Sequence, residues 1–205
     1  MRNKPIVHIV DDTASVRTTL DNLIRSAGHQ TRLYSSTQDF IENRVNDIGC
    51  LLMDVRLPGM SCLEFQDQLA QYRIHLPVIL MIGINDNRMP ESDRKACHID
   101  FLKKPYSDQE MLDAISAAFE KDIKNREQNA VIAAIKSKYN TLTVREQQVM
   151  LMVTVGKMNR QAVGDLNLSE VIIKIHRGMV MRKMGSRTLA ELEHMAEMIG
   201  LHKSG

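Results

Sequence analysis

The first half of the chain alternates short apolar runs, rich in β-branched residues, with segments whose apolar residues recur at helical spacing. The apolar runs lie at 6–10, 31–34, 50–53, 78–82 and 99–102. Strands that alternate with helices pair in parallel, because each crossover between parallel strands needs a long connection. We therefore expect a doubly wound, flavodoxin-like α/β domain in which helices cover both faces of five parallel strands.

Composition narrows the class of protein further. The chain has 205 residues, of which 43% are hydrophobic and 25% charged, as is typical of soluble globular proteins. Its apolar runs are far shorter than a membrane helix needs, and its N-terminus lacks the apolar core of a signal peptide. The three cysteines have no metal-ligand spacing, which favours a reducing cytoplasm.

Charge divides the chain into two parts. Residues 1–122 carry 14 Lys/Arg against 18 Asp/Glu, a net charge of −4, whereas residues 123–205 carry 13 against 7, a net charge of +6. A basic half joined to an acidic half indicates a nucleic-acid contact in the basic half.

Charged side chains follow three of the predicted strands. Asp11 and Asp12 come after the first, Asp54 after the third, and Lys104 after the fifth. Since the carboxyl ends of parallel strands share one edge, these groups should converge there. Clustered carboxylates need a cation or a raised pKa, and an all-oxygen donor set suits Mg²⁺ (or Mn²⁺). A carboxylate beside such an ion can attack a phosphoryl group, whose oxygens a lysine can neutralise.

A simpler interpretation of the first acidic pair is helix capping. Asp11 and Asp12 precede a predicted helix, and carboxylates stabilise helix N-termini. That interpretation accounts for neither Asp54 nor Lys104.

The sequence of the second half predicts a series of helices. Apolar positions continue from Ser107 to about residue 138, which predicts a fifth helix extended into a solvent-exposed linker, with a break near Asn125 or Asn129 as the alternative. Four short helices should follow. Their signals are a capping box at Thr143-x-x-Glu146, a short helix at 159–166, Ser169 before a helix at 170–184, and a second capping box at Thr188-x-x-Glu191. A tight turn between the second and third of these helices predicts a helix-turn-helix module.

Wheel geometry assigns faces to the helix at 170–184. Glu170, Lys174, Arg177 and Met181 fall within about 60° of one another and form a stripe expected to face DNA. The remaining apolar residues are expected to pack against the module: Ile172, Ile173, Ile175, Met179 and Val180.

Three segments of the first half, VHIVDD, LLMDVRLPGMS and DFLKKPY, resemble the receiver domain of two-component response regulators over about residues 4–122. The resemblance implies that Asp11 and Asp12 bind Mg²⁺ together with Asp54. It further implies that Asp54 accepts a phosphoryl group from a histidine kinase, with Lys104 pairing to it, and that Phe101 is the family's aromatic switch residue.

This chain departs from the receiver pattern at the end of the fourth strand. Receivers usually have Thr or Ser there, which hydrogen-bonds the phosphoryl group, whereas this chain has Ile82, which cannot donate that bond. Two positions that are commonly glycine are Cys62 and Cys97, for which packing is the simplest role and a redox role the alternative.

The second half resembles the LuxR-type helix-turn-helix of NarL/FixJ regulators over about residues 140–201, through LTVREQQVM, LNLS and VIIKIHR…RKMGSRT. By that resemblance Lys174, Ile175 and Arg177 are candidates for base contacts, and Arg160 and Arg182 for phosphate contacts. Ile172 departs from a common Thr, and Gly178 is unusual inside this helix.

The resulting expectation is a cytoplasmic, FixJ-like transcriptional regulator that is not an enzyme. It has a receiver domain at 1–122, a helical linker at 123–139 and an all-α DNA-binding domain at 140–205. Its expected partners are DNA, a sensor histidine kinase, a second copy of the chain and RNA polymerase. One alternative is a regulator whose switch is degenerate at Ile82 and that binds DNA without phosphorylation. Another is an aspartate-dependent phosphohydrolase, which Asp54-Val55-Arg56 disfavours because it lacks an Asp-x-Asp pair.

Overall fold

Five parallel strands form one sheet in the N-terminal part of the computed structural model of the chain. They are β1 (Ile6–Val10), β2 (Gln30–Tyr34), β3 (Gly49–Asp54), β4 (Val78–Ile82) and β5 (Asp100–Lys103). The strand order is β2-β1-β3-β4-β5, so the chain changes direction across the sheet between β1 and β3. The predicted doubly wound sheet is confirmed, with strand bounds that differ from the apolar runs by at most one residue.

The structure describes residues 4–44, 47–54, 62–83, 99–154 and 169–201, with only the backbone described for 62–66, 154 and 170. Residues 1–125 and 126–205 form two compact units. The described part of the chain contains no helix long and apolar enough to cross a membrane. The helix predicted at 159–166 lies outside the described residues, as do Cys97 and the side chain of Cys62.

Helices cover both faces of the sheet because alternate strand residues point to opposite sides. One face packs Val10, Leu51 and Leu80 against Phe40 of α2 (Thr37–Asn43) and Leu69 of α3 (Cys62–Gln71). The other face packs against α1 (Ala14–Ser26) and the long helix α4 (Asp108–Tyr139), using the following buried residues: Val7, Ile9, Leu52, Leu20, Ile24, Met111 and Ile115.

A buried carboxylate joins α4 to the beginning of β3. The backbone N–H of Gly49 donates to Asp122 Oδ2 at 2.9 Å, and Asp122 is only 1% exposed. A Cβ atom on Gly49 would lie 2.0 Å from the carbonyl oxygen of Ile6, so only glycine fits between the strands there. The segment 121–129 is polar on every side in sequence, yet Asp122 is buried because it supplies the acceptor that this strand end lacks.

The C-terminal unit uses the end of α4 as part of its core. α4 is continuous, which excludes the break considered at Asn125 or Asn129. Ile135 is 6% exposed, Tyr139 packs against the same cluster, and Lys138 Nζ donates to the carbonyl oxygen of Met184 at 3.1 Å. The expectation of a solvent-exposed linker is therefore wrong for this last turn of the helix.

Three further helices complete the described part of this unit: α5 (Val144–Thr154), α6 (Glu170–Met184) and α7 (Leu189–Met198). Both capping boxes begin helices as predicted, with Glu146 N donating to Thr143 Oγ1 and Glu191 N to Thr188 Oγ1. Gly185 ends α6 in the left-handed conformation at φ 75°, which glycine adopts without strain.

Candidate functional site

Asp54 and Lys104 meet at the carboxyl edge of the sheet. Asp54 is the last residue of β3, is 6% exposed, and accepts a hydrogen bond from Lys104 Nζ at 2.6 Å. Lys104 directly follows β5 and is itself half-buried. The Lys104–Pro105 peptide bond is cis. The pair places a buried carboxylate and an ammonium group side by side where ligands bind in open α/β sheets.

Asp11 is buried beside the beginning of α1. Its Oδ1 accepts from Thr13 N at 2.8 Å, and its backbone carbonyl accepts from Arg17 Nη1 at 2.5 Å. Its Oδ2 is buried and receives no hydrogen bond from the described residues, which is costly for a carboxylate unless something else supplies a positive charge or a donor. Asp12, by contrast, is exposed and accepts from the Thr13 hydroxyl at 2.9 Å.

The carboxylates of Asp11, Asp12 and Asp54 supply some, but not all, of the ligands that a hard cation needs. Within the described ranges, no three His, Cys, Asp or Glu side chains are grouped closely enough to enclose a metal ion. Mg²⁺ keeps several waters and uses one or two carboxylates, so it needs no closed protein cage. The free, buried Oδ2 of Asp11 and the oxygen-only donor set suit such an ion at the edge shared with Asp54.

Ile82 ends β4 at the same edge of the sheet. It is 1% exposed, and its carbonyl oxygen accepts from Lys104 N at 2.7 Å. The backbone at this position therefore aligns Lys104, while the side chain adds no donor. Phe101 in β5 is partly buried against one of the two sheet cores.

Tyr106 is a neighbour of this site that the sequence patterns missed. Its hydroxyl donates to Met81 Sδ at 3.2 Å, and burial raises its pKa, with the charges of Asp54 and Asp11 adding to the rise. The hydroxyl thus stays protonated close to the two acids. Its position directly after the Lys104-Pro105 pair was the available signal, but helical and strand periodicity assign that position no role.

α6 presents a different face from the predicted one. Ile172, Ile175 and Met179, which were expected to pack, are 41%, 52% and 41% exposed. Met181, expected on the outer stripe, packs against the core of its unit, where Ile173 is fully buried. The helix is apolar on nearly every side, so hydrophobicity alone could not identify its buried face.

The basic residues of α6 are unequally placed. Lys174 and Arg182 are exposed and form no ion pair with any residue that the structure describes, whereas Arg177 is half-buried. Lys183 instead bonds Glu146 Oε2 at 2.7 Å, which joins α6 to the first turn of α5. Arg160 lies outside the described residues.

Comparison with known proteins supports the domain predicted for each half of the chain. A model of the response regulator receiver domain matches residues 7–116, and one of the luxR family of bacterial regulatory proteins matches residues 140–196. Nodulation protein W of Bradyrhizobium diazoefficiens is 44% identical, a match covering 97% of this chain and 88% of that protein. Response regulator protein TodT of Pseudomonas putida is 36% identical, covering 95% and 86% respectively.

Two solved structures align with nearly all of the chain. The response regulator StyR gives a TM-score of 0.71 at 38% identity, covering 95% of this chain and 99% of that one. Full-length FixJ from B. japonicum gives a TM-score of 0.56 at 28% identity, covering 98% and 100%. The class is therefore a two-component response regulator with a receiver domain and a LuxR-type DNA-binding domain. Within this class the chain belongs to the NarL/FixJ family.

Proposed function

We propose that the chain is a cytoplasmic transcriptional regulator whose Asp54 accepts a phosphoryl group from a sensor histidine kinase. The observation that carries this proposal is the 2.6 Å contact between Lys104 Nζ and Asp54 Oδ2. The carboxylate of Asp54 attacks phosphorus, the bond from phosphorus to the histidine nitrogen breaks, and the new acyl phosphate stays on Asp54. Lys104 then pairs with the phosphoryl oxygens.

Asp11, Asp12 and Asp54 would hold Mg²⁺ (or Mn²⁺) at this edge. When bound, the ion supplies positive charge that offsets the charge developing on the phosphoryl oxygens. The buried Oδ2 of Asp11, which has no donor among the described residues, supports the assignment. Arg17 holds the backbone of Asp11 in place through its carbonyl oxygen.

The C-terminal unit binds DNA through α6. Lys174, Ile175 and Arg182 are exposed, and we assign Lys174 and Ile175 to base edges and Arg182 to phosphate. Arg177 and Arg160 complete the proposed contacts, with Arg177 the base contact at the edge of the exposed face. A homodimer is the proposed active form, with RNA polymerase as a further partner.

A second candidate function is a regulator that binds DNA without phosphorylation. Ile82 favours it, because this buried side chain has no hydroxyl to bond the phosphoryl group and report its presence. In such a regulator Asp54 is still phosphorylated. Phosphorylation then shifts DNA affinity by less than the coupling free energy typical of allosteric proteins, which is roughly 1–3 kcal/mol.

One experiment separates the two candidates. The affinity of the full chain for its selected DNA site is measured for wild type and Asp54→Asn, each with and without a small phosphodonor and Mg²⁺. A tenfold or larger, Asp54-dependent rise (about 1.4 kcal/mol) supports the phosphorylation switch and excludes the degenerate one. Tight binding that is the same in all four conditions supports the phosphorylation-independent regulator.

A further inference from the structure

Gly178 lies in the middle of α6, where nothing in the fold requires glycine. Its backbone is helical, and a Cβ atom built on it would meet no described atom within 4 Å. Glycine inside a helix costs about 0.5–1 kcal/mol of stability relative to alanine. The chain therefore carries a destabilising residue at a position where alanine would fit the free protein.

The neighbours of Gly178 make the outermost face of α6. At about 100° and about 1.5 Å of rise per residue, Lys174, Ile175 and Arg182 lie within about 60° of it on the helix wheel and within about 6 Å of it along the helix axis. Ile175 is 52% exposed, and Lys174 and Arg182 are exposed as well. The missing side chain thus leaves a notch bordered by one exposed aliphatic residue, Ile175, and two cations, Lys174 and Arg182.

The positive charge of this face of α6 favours binding of a polyanion. From Val171 to Ala190 the sequence has five Lys or Arg residues and no Asp or Glu. Of these, Lys174 and Arg182 border the notch and form no ion pair with any residue in the described ranges. DNA satisfies both properties of the surface, since it offers phosphates to Arg182 and base edges to Lys174 and to the space beside it.

The aliphatic side of the notch favours one base. Ile175 has no hydrogen-bonding side-chain atoms, so it complements an apolar group. In unmodified DNA, the 5-methyl group of thymine is the apolar group displayed in the major groove.

We infer that the notch at Gly178 receives a thymine methyl group, with Ile175 contacting it and the helix backbone approaching the base edge closely. This inference rests on the proposed DNA-binding function and adds a base preference to it. It also explains why position 178 is glycine, because a Cβ atom there would occupy the space that the methyl group needs.

The test begins by selecting binding sites from a random duplex library with the purified full chain. In the selected site, each thymine is then replaced in turn by uracil, which lacks the methyl group. Wild type should lose about fourfold in affinity at one or more thymine positions, since a buried methyl group is worth about 0.8 kcal/mol. Ile175→Ala should lose most of this sensitivity to uracil.

Gly178→Ala gives a readout that misfolding cannot imitate. It should raise the melting temperature of the C-terminal unit while weakening binding to the selected site about fivefold or more, with binding to random DNA unchanged. Ile172→Ala is the matched control, because Ile172 is exposed on the same helix but about 120° away from Gly178 on the wheel. It should keep the uracil sensitivity of wild type.

The outcomes separate the two levels of the account. Selective wild-type binding with no uracil effect, or with Gly178→Ala binding as tightly as wild type, would overturn the thymine inference and leave the DNA-binding proposal standing. Failure of wild type to enrich any DNA sequence would overturn the DNA-binding proposal and this inference with it.

Discussion

The ammonium group of Lys104 lies 2.6 Å from Oδ2 of Asp54, although 50 residues separate them in sequence. The sheet brings them together because β3 and β5 both flank β4 and end at the same edge. Lys104 N also donates to the carbonyl oxygen of Ile82, so the end of β4 holds the lysine backbone in place.

Removing this lysine should slow phosphorylation of Asp54. We expect Lys104→Ala to lower the rate of modification by a small phosphodonor by about 10²-fold, the usual effect of losing one group that stabilises charge in the transition state. The measurement is a time course of protein mass. Lys103→Ala is the control, since Lys103 is exposed at the end of the same strand. Equal rates for Lys104→Ala and wild type would remove Lys104 from the reaction.

His8 should make the stability of the N-terminal unit pH-dependent. It is fully buried in β1, bonds the Tyr34 hydroxyl through Nδ1 at 3.0 Å, and has no hydrogen bond from a described residue at Nε2. Burial, followed by the charge of Arg32, lowers its pKa from 6.5 to about 4. Between these two values the unfolded chain binds a proton that the folded chain does not, so stability falls as the pH falls.

The expected loss is about 2 kcal/mol from about pH 7.5 to about pH 5, measured by urea unfolding of the N-terminal unit. His8→Gln serves as the comparison because its side chain does not titrate. The variant should show a correspondingly shallower loss over this range. Identical pH profiles for the two proteins would show that His8 takes up its proton in the folded state.

The ion pair between Glu146 and Lys183 should stabilise the C-terminal unit. Glu146 is buried, and the hydrogen bond from Lys183 lowers its pKa against the opposing effect of burial, with Thr143 contributing further. A lowered carboxyl pKa adds stability above the unfolded value of 4.5, and that stability is lost as the pH falls below it.

Glu146→Gln should therefore cost about 1–2 kcal/mol at neutral pH, less than a fully buried pair because Lys183 is partly exposed. In urea unfolding, the difference from wild type should shrink below about pH 4. Glu193→Gln in α7, a less buried carboxyl, should change stability little. A pH-independent difference for Glu146→Gln would assign the loss to altered packing or hydrogen bonding of this side chain rather than to its charge.

Lys174 should contribute to sequence-specific binding. It is exposed on α6 beside Gly178, and Lys174→Ala should cost about 1–3 kcal/mol at the selected site if the lysine contacts a base. The measurement compares affinities for the selected site and for random DNA at one salt concentration. Equal losses on both DNAs would reassign Lys174 to a phosphate contact.

The receiver fold was predictable because its signals are local and repeated. Apolar runs mark the five strands, and ligands bind at the carboxyl ends of parallel strands, so the sequence alone places Asp11, Asp54 and Lys104 at one edge. The burial of Asp122 could not be predicted from the neighbouring sequence, because the group that requires it is distant. Asp122 accepts a hydrogen bond from Gly49, 73 residues away in the chain.

The faces of α6 were not predictable for a related reason. A helix wheel reports which residues share a side, but in a helix that is apolar nearly all round it does not report which side has a partner. The structure buries Ile173 and exposes Ile175, two residues of the same type two positions apart. The role of Ile135 in the core of the C-terminal unit was hidden for the same reason, since its partners come from elements later in the chain.

The central claim is that Asp54 is the phosphoacceptor. The most direct measurement is the intact mass of the full chain after incubation with a small phosphodonor and Mg²⁺, for wild type and Asp54→Asn. Wild type should gain the mass of one phosphoryl group and lose it on treatment with hydroxylamine, which cleaves acyl phosphates, while Asp54→Asn should gain none. An unmodified wild type, or an equal gain in Asp54→Asn, would contradict the claim.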